Sequence, residues 1–260
     1  VAKTCSHILH QPLIKTDELP SYVMAESYFQ FKKFRVYHSA GGFKVGTDGV
    51  LLGAWAPAKD GDLVLDIGTG TGLISLMIAQ RANVSVDMVE INPIAADQAK
   101  RNVVHSPFSN MMVYNEDVAE LAERGKKYDF IVCNPPFYSH SQPSKDVSIR
   151  LAKHTVMLNP AGLFKDVSKL MKSDARFAVI FPQTEYDVFF NAAKAEGFFT
   201  KEVVNVFPQP DYPLIRLMVL FTKEDTGEPT KTDFLIEKSA ERHDYSDEYK
   251  ELTKDYFLRF

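Results

Sequence analysis

The stretch Leu63-Val64-Leu65-Asp66-Ile67-Gly68-Thr69-Gly70-Thr71-Gly72-Leu73 decides the architecture. A short apolar run suits a buried strand, and three glycines at alternate positions then let the backbone turn sharply. A helical pattern follows over about Thr71–Ala82, with Leu73, Leu76, Met77 and Gln80 at turn spacing. The alternation continues downstream. Val84–Val89 reads as a second strand, and Asn92-Pro93 supplies an N-cap and a first-turn proline for a helix to about Val104. Met111–Tyr114 is a third strand, Val118–Glu123 a short helix and Phe130–Cys133 a fourth strand. Phe164–Met171 and Tyr186–Ala195 read as helices on either side of a fifth strand, Phe177–Phe181. Val203–Phe207 and Leu214–Phe221 follow with no helix between them and suit an antiparallel hairpin. The pattern predicts one α/β domain, doubly wound around a mostly parallel sheet. Ligands in such sheets bind beyond the carboxyl ends of the strands, which here means just after Ile67, Val89, Tyr114 and Cys133.

Composition agrees with an ordinary globular protein of 260 residues, 45% hydrophobic and 25% charged, and excludes a disordered or collagen-like chain. The net charge of -4 is unevenly placed. Residues 223–260 hold 7 bases and 11 acids, which accounts for the whole surplus. No global basic field exists, so any nucleic-acid site has to be local. The two cysteines, Cys5 and Cys133, form no disulfide framework, and Cys133 lies in a buried strand pattern, which favours a reducing compartment. No apolar run approaches the roughly 18 residues of a membrane span, and the first residues lack a signal peptide's apolar core. A cytoplasmic location is expected. Residues 1–28 read as an extension and 29–260 as one domain.

The glycine spacing separates two kinds of ligand. A dinucleotide fingerprint has the pattern G-x-G-x-x-G; here the third glycine comes one residue early and Asp66 precedes the first. A carboxylate there repels a pyrophosphate and suits an ammonium group. The implied cofactor is an amino-acid nucleoside without phosphates, S-adenosylmethionine. Glu90, at the end of the second strand, stands at the offset where an acid accepts from both ribose hydroxyls. After the third strand, Asp117 is placed to accept from the adenine amine, to cap the helix at Val118, or both.

After the fourth strand comes Asn134-Pro135-Pro136-Phe137. Two prolines remove two amide donors and hold the chain extended, which frees the Pro135 carbonyl to accept from a ligand. The Asn134 side-chain oxygen is a second acceptor, and Phe137 offers a face on which a base or planar amide stacks. The combination suits an amine nucleophile.

With these motifs the sequence resembles the class I S-adenosylmethionine-dependent methyltransferases that act on amines, whose signature is Asn/Asp-Pro-Pro-aromatic. Within them it is similar to the tRNA1(Val) adenosine-37 N6-methyltransferase family. The added residues are Phe31-Lys32-Lys33-Phe34-Arg35-Val36-Tyr37-His38, the block Lys44-Val45-Gly46-Thr47-Asp48-Gly49-Val50-Leu51-Leu52-Gly53-Ala54-Trp55, and Tyr245-Ser246-Asp247-Glu248-Tyr249. The resemblance implies a Rossmann-like sheet of seven strands with the last antiparallel. It also implies Lys44, Thr47 and Asp48 beside a cofactor pocket completed by Asp66, Gly68, Gly70, Gly72, Glu90, Asp117 and Asn134. Asn134, Pro135 and Phe137 are the implied catalytic residues. Where relatives often carry Ala-Arg-x-Glu/Thr, this chain has Ala152-Lys153-His154-Thr155, and no role is assigned there.

A tRNA substrate requires contacts to phosphate. From Ser27 to Thr47 the bases Lys32, Lys33, Arg35 and Lys44 occur without an acid, interleaved with Phe29, Phe31, Phe34 and Tyr37. These form a local RNA-binding strip, or the aromatics belong to an edge strand facing the core. The loop Tyr138–Ser148 is either a lid or a plain mobile loop. Cys5, His7 and His10 are not taken as a metal site, and none is expected elsewhere. His243 and Tyr245 read as packed helix surface. A monomer is expected. The alternatives are a protein glutamine N5-methyltransferase, an rRNA guanine N2-methyltransferase and a non-catalytic RNA-binding or chaperone module that retains the cofactor pocket.

Overall fold

The structure, a computed structural model, describes residues 27–38, 45–137 and 159–259. Its elements in chain order are β1 (Tyr28–Gln30), β2 (Arg35–Tyr37), α1 (Thr47–Trp55), β3 (Leu63–Ile67), α2 (Leu73–Arg81) and β4 (Ser85–Val89). Then come α3 (Pro93–Val104), β5 (Met111–Tyr114), α4 (Val118–Ala122), β6 (Tyr128–Cys133), α5 (Pro160–Leu170) and β7 (Met171–Pro182). The last described elements are α6 (Tyr186–Ala195), β8 (Phe199–Phe207), β9 (Arg216–Thr222), β10 (Thr230–Leu235) and α7 (Asp247–Thr253).

All seven expected strands form one sheet, and an eighth joins it. The order is β10-β8-β9-β7-β6-β3-β4-β5. β9 is antiparallel to β7 and β8, as the hairpin reading expects, while β10 runs parallel to β8 at the edge. The seven-strand count is thus corrected to eight: the last of the expected strands, β9, is antiparallel as expected, and β10 follows it. β10 escapes a pattern search because Thr230–Asp233 are exposed and polar, as edge strands commonly are.

Period-2 alternation lets each central strand serve two cores. Val64, Val86, Met88, Phe130 and Val132 point to one face, against α1, α2 and the β1–β2 hairpin. Leu65, Ile67, Ile131, Cys133 and Val179 point to the other, against Phe164, Phe177 and Phe189. Burial on both faces is why these strands read as continuous apolar runs. The helices start where polar caps permit. Asn92 Oδ1 accepts from the amides of Ile94 (3.0 Å) and Ala95 (3.3 Å), with Pro93 in the first turn. Asn159-Pro160 repeats the device, so α5 begins four residues before the expected Phe164.

α1 is absent from the pattern reading because it has no polar face to contrast: Gly49 to Ala54 are all buried. It lies hard against α2. A Cβ on Gly53 would meet Met77 Sδ at 2.8 Å and Met77 Cβ at 3.1 Å. Glycine at 53 therefore sets the helix separation, and the separation places the α1 N-terminus at the carboxyl edge of the sheet.

Candidate active site

A cavity of about 1100 Å³ opens along the carboxyl edge of the parallel strands. One end is built by the loops after β3, β4 and β5, the middle by the loop after β6, and the far end by β8, β9 and the chain following β10.

Gly68, Thr69, Gly70 and Thr71 form part of the lining. Gly68 and Gly70 have φ of 67° and 57°, and a Cβ on either would meet nothing within 4 Å, so bare backbone faces the cavity. Most of the loop's amides are already committed. Gly68 and Thr69 donate to the Val89 carbonyl, Gly72 to the Thr69 carbonyl, and Gly70 to Glu90 Oε2 at 3.0 Å. A pyrophosphate would find few amides here. Gly72 lies off the cavity lining, with φ of 80° as the N-cap of α2, where it fits the turn against Ala99 and Met88.

Asp66 likewise lies beneath the loop and does not line the cavity, so direct contact with an ammonium group is not what the geometry offers. Its Oδ2 accepts from Thr69 Oγ1 and Ser75 Oγ, both at 2.7 Å, and holds the loop to the start of α2. Its Oδ1 is buried without a partner. Burial pushes the carboxyl up to about 6, against the lowering effect of the two hydroxyls and helped by the nearby Glu90 charge.

Glu90 lines the cavity while mostly buried, held by the amides of Gly70 and Asn92 (2.9 Å). Asp117 both lines the cavity and caps α4, accepting from the Ala119 amide at 2.9 Å, so the capping role is realised and the second role stays open to it. Between them stands Glu116, which the sequence reading passed over. One oxygen pairs with Arg124 and the other is buried without a partner. Glu90, Glu116 and Asp117 therefore ring this end with acceptors, above the buried Asp66. Such a wall fits a ligand rich in hydroxyl and amine donors and carrying positive charge, and rejects phosphate. S-adenosylmethionine has that chemistry.

Asn134, Pro135, Pro136 and Phe137 line the middle. Pro135 is buried, and Phe137 is half-buried with its ring 5.9 Å from that of Phe189. Gly49 of α1 faces Asn134, whose Nδ2 would lie 3.9 Å from a Cβ at 49. Thr47 and Asp48, at the start of α1, also line the cavity; Asp48 pairs with Arg216 Nε at 2.8 Å and ties α1 to β9. Lys44 and the loop Tyr138–Ser148 lie outside the described residues, as do Cys5, His7, His10 and Ala152–Thr155. The far end was not anticipated. Arg216, Glu237, Arg242, His243 and Tyr245 line it; His243 sits in a turn and Tyr245 in an antiparallel bridge to Glu237, both ahead of α7, which corrects their reading as helix surface.

The family described as Methyltransferase small domain matches residues 30–177. The chain is 39% identical over 238 residues to the tRNA1(Val) (adenine(37)-N6)-methyltransferase of Parabacteroides distasonis, covering 91% of this chain and 100% of that one. The Serratia proteamaculans protein of the same name is 35% identical over 250 residues, 95% of each chain. The chain belongs to this methyltransferase family. The fold of the methyltransferase matches that of a "predicted O-methyltransferase" of Agrobacterium tumefaciens (TM-score 0.62, 16% identity, 80% of this chain and 96% of that one). It also matches the Thermus thermophilus 16S rRNA N2 G1207 methyltransferase (TM-score 0.55, 18% identity, 76% of this chain and 50% of that one).

The basic strip of this methyltransferase is split between core and surface. Phe31, Phe34 and Val36 are buried, whereas Tyr28 and Phe29 stay exposed. Lys32 Nζ donates to the Lys254 carbonyl, so it anchors the hairpin to the C-terminal segment. Lys33 and Arg35 are exposed, and the Arg35 guanidinium lies 4.9 Å from the Tyr28 ring centre. Arg101 of α3 lies 5.4 Å from the Tyr37 ring. Among the described residues, no group of three or more His, Cys, Asp or Glu could hold a metal ion. No helix among them is long and apolar enough to cross a membrane.

Proposed function

We propose that this methyltransferase methylates N6 of adenosine 37 in tRNA1(Val), with S-adenosylmethionine held at the carboxylate-lined end of the cavity. The observation that carries the reading is the joining of Asn134-Pro135-Pro136-Phe137 to that end within one cavity. When bound, the cofactor supplies a methyl group already activated on a sulfonium. The chain's work is then binding and orientation, which is worth roughly 7–11 kcal/mol of barrier for well-oriented partners. Gly68 and Gly70 give the cofactor close approach to backbone, Glu90 takes its ribose hydroxyls, and Asp117 takes the adenine amine. Asp66 acts from beneath the loop as a buried negative charge, and Thr47 and Asp48 close the α1 side.

The Asn134 oxygen and the Pro135 carbonyl accept from the two hydrogens of the target amine. As that nitrogen attacks, its growing positive charge strengthens both bonds, so they favour the transition state over the ground state. No general base is needed, because the alkylated amine is acidic. Phe137 stacks the base. An anticodon-loop adenosine is unpaired, which lowers the cost of turning it out. Lys33 and Arg35, with Arg101 beside them, contact phosphates of the tRNA, and the enzyme works as a cytoplasmic monomer. Asn134→Ala tests the reading: the variant should still bind the cofactor while methyl transfer to unmodified tRNA falls by about 10²–10³. An Asn134→Ala enzyme that turns over normally would refute it.

A further inference from the structure

The proposed cofactor end and Asn134 leave the far end of the cavity without a role. Strand order makes this concrete: the ends of β5, β4 and β3 carry the carboxylate wall, β6 carries Asn134, and β8, β9 and β10 lie on the opposite side of it. From β6 to β8 there are three strand steps, about 14 Å at the usual inter-strand spacing, which is the scale of one nucleotide.

This end is a built surface. Beyond β10 the chain stays on β8, with Ile236 and Glu237 amides donating to the carbonyls of Phe207 (3.0 Å) and Pro208 (2.9 Å). The Glu237 carboxylate then clamps two loops together, accepting from Gln209 Nε2 at 2.9 Å and from the His243 amide at 2.9 Å. These bonds hold His243 at φ 69°, a left-handed conformation that a residue with a Cβ adopts only where its surroundings impose it. The constrained imidazole lines the cavity, with Nδ1 3.0 Å from Tyr245 Oη. Tyr245 in turn stacks on Tyr249, ring centres 4.7 Å apart. Next to this pair is Arg242, exposed, lining the cavity and in no salt bridge among the described residues. The other arginine here, Arg216, is neutralised by Asp48.

We propose that this wall is the target-nucleotide site: Arg242 meets the phosphate of the nucleotide turned into the cavity, and the His243–Tyr245 pair holds its nucleoside against Asn134. The proposal rests on the RNA reading given above and adds the residues that receive the nucleotide. A guanidinium suits an anion, and an imidazole and a phenol offer polar edges to a hydroxylated sugar and a flat base. The acidic C-terminal region thus contributes a cation to the cavity.

Steady-state and single-turnover methylation of an unmodified tRNA1(Val) transcript tests it, with S-adenosylmethionine affinity measured in parallel. Arg242→Ala should raise KM for tRNA about fivefold to tenfold and lower the log–log salt slope by about 1, with kcat and cofactor affinity unchanged. Arg242→Glu should be worse and Arg242→Lys should restore most of the loss. His243→Gly suits the left-handed backbone, so it should keep the melting temperature and cofactor affinity while lowering kcat at saturating tRNA about tenfold. Arg242 variants within twofold of wild type would overturn the phosphate contact, and a fully active His243→Gly enzyme would overturn the nucleoside contact. A wild-type enzyme that binds S-adenosylmethionine yet transfers no methyl group to tRNA would overturn the RNA reading, and this assignment with it.

Discussion

Asp66→Asn is the substitution whose effect follows most directly from the geometry. The Asp66 carboxyl is fully buried, one oxygen has no partner, and burial raises it from 3.8 to about 6. The folded protein therefore binds this proton more tightly than the unfolded chain. Asp66's contribution to stability is greatest below about pH 4 and declines as the pH rises through about 6. A shift of about two pH units at 1.36 kcal/mol each amounts to about 3 kcal/mol between pH 4 and pH 7. Other groups titrate in the same range, so the quantity to measure is the difference between wild type and Asp66→Asn, which cancels them. Urea unfolding at half-unit steps from pH 4 to 7.5 should show wild type losing about 3 kcal/mol relative to the variant across this range. Parallel pH curves would refute the reasoning, because they would mean that Asp66 titrates alike in both states. A cation bound above the loop should draw the carboxyl back down, so cofactor affinity in wild type should rise between pH 5 and 7 more than in the variant.

Glu90→Ala removes the acceptor fixed by the Gly70 and Asn92 amides, and S-adenosylmethionine should bind about 10–100-fold more weakly by calorimetry; unchanged affinity would remove Glu90 from the ribose site. Gly53→Val puts a branched side chain where Met77 Sδ already lies within 2.8 Å of a Cβ, and thermal or urea unfolding should show a loss of about 1–3 kcal/mol. Lys33→Ala/Arg35→Ala/Arg101→Ala should weaken tRNA binding at moderate salt and reduce the salt slope by about 2 to 3, and an unaltered slope would move the RNA elsewhere on the surface.

The strands and the glycine turn were legible because burial on both faces writes itself as apolar runs and a sharp turn as glycine. The chemistry of Asn134-Pro135-Pro136-Phe137 was legible for a similar reason: prolines and an amide fix what the backbone can offer wherever they stand. Features set by distant neighbours were not. α1 is apolar from Gly49 to Ala54, so it shows no helical stripe until α2 is known to lie against its glycines. Asp66 and Gly72 flank the right loop, but a sequence does not say which of its neighbours face the ligand. Glu116 was overlooked beside Asp117, although adjacent acids after a strand are the signal that could have drawn it in. The Glu237–His243–Tyr245 wall joins the site only through β10, a polar edge strand, and the left-handed backbone at His243 has no sequence mark.

The most direct test of the account is the identity of the methylated atom. Unmodified tRNA1(Val) and a transcript carrying guanosine at position 37 are each incubated with the enzyme and methyl-labelled S-adenosylmethionine, then digested to nucleosides and resolved by mass spectrometry. The account predicts N6-methyladenosine at position 37 of the first transcript and no label in the second. Label in guanosine, at another adenosine, or in protein would contradict it.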